Sequence, residues 1–285
     1  MPSPIAVVLA VHGTRNPAGT AMTQDLALAL ADRIGLPVHP AYADVHGPTV
    51  ADVLRSTPVD RTPVLVPAFL SSGHHVHTDI PAQILGSGRT DTVVTPPPGP
   101  ASTLLTALTD RLAEAGAGPG DSVVLGAAGS RDPAARAEVA ALAQTLGRRL
   151  GTAVSVGWAA SARPTVAEAV ADVRSRGARR VSVATWLLAP GLFADRINDC
   201  GADAAARPLG AHPALVEALA QRAEAATRPC VPTVRRDVPA ERCRVTASDR
   251  PPGDHLGTTR CALDTWRGPG CTPCVCGACD MEQFV

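Results

Sequence analysis

The chain has no lysine. All 26 of its basic side chains are arginines, balanced by 26 acidic ones to a formal net charge of zero. No long basic stripe is available to neutralise a phosphate backbone, which argues against non-specific nucleic-acid binding. The missing lysine, beside abundant Ala, Arg, Gly and Pro, is read as GC-rich coding rather than as function. Aromatic residues are scarce, with 3 Trp, 1 Tyr and 3 Phe, so the core must be built from Ala, Val and Leu. No run reaches the roughly 18–20 apolar residues that span a bilayer. The apolar opening PIAVVLAVHG lacks a basic stretch before it and runs straight into turn signals, unlike a secretory leader. These features predict a soluble, cytoplasmic protein with no membrane partner. Cysteine is nearly absent from the body: only Cys200 precedes residue 230, as suits a reducing compartment. There is neither a Gly-x-Gly-x-x-Gly nor a Gly-Lys-Ser/Thr loop, so no nucleotide is expected.

What is present is an internal repeat. VVLAVHGTRNPA (7–18) returns as VVLGAAGSRDPA (123–134), and VHPAYADVHGPTVADV (38–53) as VSVGWAASARPTVAEA (154–169). VLVPAFLSSGHHVHTDI (64–80) returns as VSVATWLLAPGLFADRI (181–197). The offset is 116 residues for the first two blocks and 117 for the third. In this register His12 faces Ala128, Asp44 faces Ala160 and His46 faces Ala162. His74, His75 and His77 face Gly191, Leu192 and Ala194. Scaffold residues persist while ionisable ones vanish, so the pattern implies two similar halves and one chemical site, in the first.

Each half alternates short apolar, β-branched runs with Ala/Leu-rich helical stretches. Strands are expected near 5–11, 37–43, 63–69 and 91–95, and again near 121–127, 153–159, 180–187 and 204–209. Such alternation predicts an α/β fold with parallel strands and helices on both faces. Pro48 and Pro164 suit the first turn of a helix. Residues 1–115 form the first half, GAGPG (116–120) a linker, and 121–227 the second half. After 227 the periodicity ends, and 228–285 is expected to be irregular.

Ligands in parallel sheets sit beyond the carboxyl ends of the strands, and the histidines follow strands at that edge. His12 precedes a glycine at a strand end; it is either a ligand-edge side chain or one satisfied by a local hydrogen bond. His74, His75 and His77 form a cluster whose imidazoles suit Fe, Co, Ni or Zn and can also take a proton. Asp44 and His46 follow the second strand; the carboxylate could bind a metal, relay a proton or simply start a helix. Arg15 and Arg131 recur in both halves and are suited to clamping carboxylates or pairing with an acidic neighbour. Ser71 and Ser72 could hydrogen-bond an anionic ligand.

The set VHGTRNP, an acidic residue four before PTV, and PAFLSSGHHVHTDIP resembles the sirohydrochlorin chelatases, the ATP-independent class II tetrapyrrole chelatases, in their two-repeat form. The resemblance covers about residues 5–225. It implies two four-stranded parallel sheets with helices, facing each other across a cleft that holds a tetrapyrrole. It implies that His12 and His75 handle the metal, with Asp44 standing where the family usually carries Glu. No cofactor is then required. The divalent metal is a substrate, Fe2+ for sirohaem or Co2+ for cobalamin, with iron favoured. The polycarboxylate substrate implies arginines at the rim, and Arg15, Arg131 and Arg163 are the candidates. A doubled chain is expected to work as a monomer.

The tail contains CTPCVCGACD, in which Cys271, Cys274, Cys276 and Cys279 follow a C-x2-C-x-C-x2-C spacing. This spacing suits an iron–sulfur or Zn site. A passive tail from a non-native reading frame, or disulfides, are the alternatives.

Overall fold

The structure, a computed structural model, describes residues 4–45, 47–71, 75–99 and 102–227. The near-continuous apolar runs form two sheets. β1 (Ile5–Val11), β2 (Val38–Tyr42), β3 (Thr62–Pro67) and β4 (Val93–Val94) lie in the order β2-β1-β3-β4. β5 (Ser122–Ala127), β6 (Val154–Trp158), β7 (Val181–Trp186) and β8 (Ala204–Ala205) repeat it as β6-β5-β7-β8. Every pairing is parallel.

The helices between them start and stop on matched chemistry. α1 (Pro17–Ile34) and α5 (Pro133–Leu150) both place proline at the first turn, where its missing N–H costs nothing. Asn16 and Asp132 accept hydrogen bonds from the N–H groups of Ala18 and Ala134, at 2.9 and 2.8 Å. Both helices end on a left-handed glycine, Gly35 or Gly151. α2 (Val50–Ser56) and α6 (Val166–Ser175) each begin with a capping box, Thr49 with Asp52 and Thr165 with Glu168. The other helices are α3 (Ile80–Ser87), α4 (Ser102–Glu114), α7 (Leu192–Asn198) and α8 (Pro213–Thr227).

Pro48 and Pro164 do not occupy the first helical turn that their sequence context predicts. Each precedes the capping threonine, follows a cis peptide bond, and offers its carbonyl to the end of the preceding strand. Tyr42 N–H donates to Pro48 O and Trp158 N–H to Pro164 O, both at 2.9 Å.

The alternation of side chains sorts the core into layers. Val7, Leu9 and Val11 of β1 share one inner core with Val123, Leu125 and Ala127 of β5. Val8 and Ala10 point the other way, onto Leu54 and Ile80 of α2 and α3. Val124 likewise meets Val166, Val170 and Ile197 of α6 and α7. The terminal helices of the halves are exchanged: α4 packs on β7, and α8 packs on β3 as well as on α1 and α4. Each half thus adds its last helix to the core of the other, beside that half's own first helix, and the two halves share one core.

Glu114 joins them at the surface. It accepts hydrogen bonds from Arg111 of its own helix and from Arg207 of half two, at 2.8 and 2.9 Å. Arg207 and then Arg111 hold its carboxyl down at about 2, against an ordinary 4.5. In that window the native state binds fewer protons than the unfolded chain, so stability is lost as pH falls from 4.5 towards about 2. Glu114→Gln is expected to flatten that acid limb, measured as Tm against pH for both proteins. An unchanged acid limb would show that the bridge does not couple to folding.

Candidate functional site

In each sheet the strand order reverses between the first and third strands, β1 and β3 or β5 and β7. A crevice opens beyond the carboxyl ends of such a pair. In half one, His12 follows β1 directly and is exposed, Asp44 follows β2, and Ser71 and the segment His75–Asp79 follow β3. The fold thus brings the loops carrying His12 and Asp44 and the segment that begins at His75 to one sheet edge.

The first two loops are laced together by backbone. Asp44 N–H donates to His12 O at 3.0 Å, and Ala43 N–H to Val11 O at 2.8 Å. Gly13 sits beneath them with φ of +98°, and a Cβ there would lie 2.4 Å from Asp44 O. Only glycine accommodates both demands. The Asp44 carboxylate is exposed and accepts a 2.7 Å bond from Val45 N–H. Val45 is itself left-handed, with φ of +74°, a strained conformation for a β-branched residue.

Half two keeps the lacing without the chemistry. Ala160 N–H donates to Ala128 O at 2.9 Å, Gly129 has the same φ of +98°, and Ser161 is left-handed at +59°. Loop geometry is therefore scaffold common to both halves; the ionisable side chains are what half one adds.

A brace that sequence reasoning misses holds the Asp44 loop. Gln83 of α3 donates from Nε2 to Ala43 O at 2.7 Å and accepts from Ala51 N–H at 3.3 Å. In half two the corresponding carbonyl, Ala159 O, is held by Arg196 Nη1 of α7 at 3.0 Å. The two braces differ in residue type and register, so no local sequence signal marks either. Through Gln83, α3 connects the Asp44 loop to the segment that begins at His75. That segment is a single π-helical turn, His75–Asp79, running directly into α3. His75 thus opens a helical segment rather than lying in a loop. Strand β3 ends at Pro67, earlier than the expected 69.

The candidate arginines separate. Arg15 and Arg131 are exposed at the sheet edges, and neither pairs with an acidic side chain among the described residues. Arg163 instead pairs with Glu168, the capping-box acid of α6, so its charge serves the start of that helix. Ser71 is half-buried in a bend after β3. Ser72, His74, His46 and the tail cysteines Cys271, Cys274, Cys276 and Cys279 lie outside the described residues.

The two halves also touch at their loops. A Cβ on Gly19 would lie 2.8 Å from Pro190 O, and one on Gly191 would lie 3.0 Å from Thr14 Oγ1. Beside this contact opens a cavity of about 990 Å³, lined by Met22, Asp25, Arg111, Glu114, Arg207 and His212 among others. None of the described candidate site residues lines it, and much of its charge is already paired, Glu114 with both arginines and His212 with Asp110. His212 Nδ1 accepts from Ala214 N–H at 3.1 Å and thereby starts α8. Its Nε2 lies 3.3 Å from Asp110, an approach that the neutral ring with its proton on Nε2 already satisfies. Burial and then Arg111 push its pKa down, favouring that neutral form. This cavity is a structural seam and holds none of the expected chemistry.

Comparison with known proteins bears on the family and the fold. The sequence model of the family described as CbiX matches residues 6–115 and again 122–226. A curated relative, the chloroplastic sirohydrochlorin ferrochelatase of Arabidopsis thaliana, is 26% identical over 113 residues, 37% of this chain and 50% of the relative. The chain thus spans about half the length of that relative. Among solved structures, SirB from Bacillus subtilis with Fe3+ superposes with a TM-score of 0.64 at 21% identity, covering 79% of this chain and 96% of SirB. The sirohydrochlorin chelatase SirB from Bacillus subtilis subspecies spizizenii, in complex with cobalt, gives 0.63 at 21% identity, covering 79% of this chain and 97% of the other. At these identities the structures establish the fold: two four-stranded parallel sheets with helices, arranged as in the chelatases.

Proposed function

The chain belongs to the CbiX family, and on that premise we propose that it inserts a divalent metal ion into sirohydrochlorin without ATP. The observation that carries this reading is the asymmetry of two otherwise equal scaffolds. Both halves lace the same loops at the same sheet edge, but only half one hangs His12 and Asp44 from them. A fold that kept both halves for symmetry alone would have no reason to differ there.

The chemistry requires M2+ to replace two pyrrole N–H protons, so that one metallated ring and two protons leave the site. A neutral imidazole can hand over a metal ion and accept a proton near working pH. In this reading His12 and His75 present the metal, and Asp44 beside the His12 loop takes or relays a proton. Arg15 and Arg131, one on each half, bind peripheral carboxylates of the ring, as guanidinium suits. Arg163 is left to Glu168. Ser71 and Ser72 add hydrogen bonds to carboxylates on the β3 side. A wall fixed by a shared core can hold the ring in a bent form, using binding energy in place of a nucleotide. Because each half supplies the other's facing wall, we propose that a single chain suffices.

Imidazole and carboxylate donors do not separate Fe2+ from Co2+ or Ni2+. We take Fe2+ as the preferred metal, in line with the ferrochelatase name of the curated relative, with Co2+ second. The tail cysteines have no step in this scheme. The test is anaerobic: sirohydrochlorin with Fe2+, Co2+ or Ni2+, followed optically beside a blank without protein. Acceleration by the protein is expected with Fe2+ fastest. No acceleration with any metal, in a folded sample, would overturn the reading.

A further inference from the structure

Building on that function, we propose that Leu192 and Phe193 of half two, with Val45 of half one, form an apolar rest for the macrocycle of the substrate. Half two has not merely lost histidine. Where half one carries His75 and Val76, it carries Leu192 and Phe193, the first residues of α7. Both are exposed, Leu192 at 63% and Phe193 at 37%. Their neighbours in α7, Ala194 and Ile197, are buried in the outer core, so the helix has its core contacts without them.

Their place ties them to the His12 loop. Gly191, the residue before Leu192, is packed against Thr14 of that loop. In the same loop Gly13 abuts Val45, to whose Cβ a Gly13 Cβ would lie 3.4 Å. Val45 is 38% exposed and left-handed. Glycine would relieve that conformation, and the matching position in half two is the small, polar Ser161. Half one thus holds an apolar, β-branched side chain out at this edge against a conformational cost. Exposed apolar side chains next to a histidine loop make a surface that excludes water and fits an apolar ring. A tetrapyrrole is apolar at its centre and charged at its rim, which these apolar side chains match together with the exposed Arg15 and Arg131 in the loops after β1 and β5. Arg196 lies over the Phe193 ring, 5.9 Å from its centroid, and steadies that ring. The work is thereby divided: half one manages metal and protons and adds Val45, and half two supplies Leu192 and Phe193, the larger part of the surface on which the ring lies.

The test compares wild type with Leu192→Ser/Phe193→Ser, Leu192→Ser alone and Val45→Gly. Two readouts serve: the Kd for metal-free sirohydrochlorin by fluorescence, and KM and kcat for insertion. The double variant is expected to raise Kd and KM roughly tenfold, as for losing partial burial of two large apolar side chains, with kcat at saturation little changed. Leu192→Ser and Val45→Gly are expected to move the same constants about two- to threefold, and Val45→Gly to raise Tm slightly. Circular dichroism checks the fold of the double variant, and the single variants carry the test if it unfolds. Wild type that binds sirohydrochlorin while every folded variant binds it equally well would overturn this proposal alone. Wild type that neither binds nor metallates it would overturn the functional reading as well. Unchanged KM with altered self-association would assign the patch to a second copy of the chain, and would also overturn the proposal.

Discussion

Replacing His12 by alanine is expected to lower the rate of metal insertion by roughly 10²–10⁴-fold, the range over which a positioned acid–base side chain contributes, and to leave the fold intact. The protein contains its own control. In half two Ala128 occupies the equivalent position, and its carbonyl still accepts the bond from Ala160 N–H at 2.9 Å. The backbone that laces the loops therefore tolerates alanine at this position, and what the substitution removes is an exposed side chain at a strand end. Initial rates at saturating metal and tetrapyrrole, with Tm measured on the same samples, check both parts. Full activity in the folded variant would remove His12 from the mechanism. An equal loss of Tm would make it structural.

Gly129→Ala is expected to have the opposite signature, a large loss of stability at a residue that brings no reacting group of its own. A Cβ on Gly129 would lie 1.8 Å from Ala160 O, and its φ of +98° excludes ordinary side chains. Either the loop after β5 or the loop after β6 must move, and both cap the shared core. A cost of about 3–4 kcal/mol is expected, or a fall in Tm of roughly 10 °C for a chain of this size. Thermal unfolding measures it. A variant within a degree or two of wild type would mean that the lacing of half two is dispensable.

Much of this molecule can be read from its sequence because it is written twice. The paired caps Asn16-Pro17 and Asp132-Pro133, and the threonine capping boxes, recur at a fixed offset, and both sheets form in the expected parallel arrangement. The comparison of His12 with Ala128 and of Asp44 with Ala160 points to one sheet edge, and the structure brings those loops to the carboxyl ends of the strands. Other features have no local signal. The apolar stripe of α4 or α8 predicts burial but not which sheet it covers, so the exchange of terminal helices emerges only from packing. The run of β-branched and histidine residues around His75 gives no helical period, so nothing there predicts the π-turn. Valine is disfavoured at positive φ, so nothing in the sequence marks Val45 as left-handed. The family resemblance makes Arg163 a candidate substrate ligand, although the Thr165-x-x-Glu168 signature two residues later already holds the acid with which it pairs. Gln83 and Arg196 brace equivalent carbonyls from unrelated residue types, and only the folded structure relates them.

The most direct test of the central claim counts product per chain. Purified protein, well below the tetrapyrrole in concentration, is mixed anaerobically with sirohydrochlorin and Fe2+, without any nucleotide, and the metallated ring is quantified over time against a blank. An ATP-independent chelatase is expected to form many metallated rings per chain, at a rate that added ATP does not change. A yield that stops at one ring per chain would identify a carrier, and would contradict catalysis by this chain.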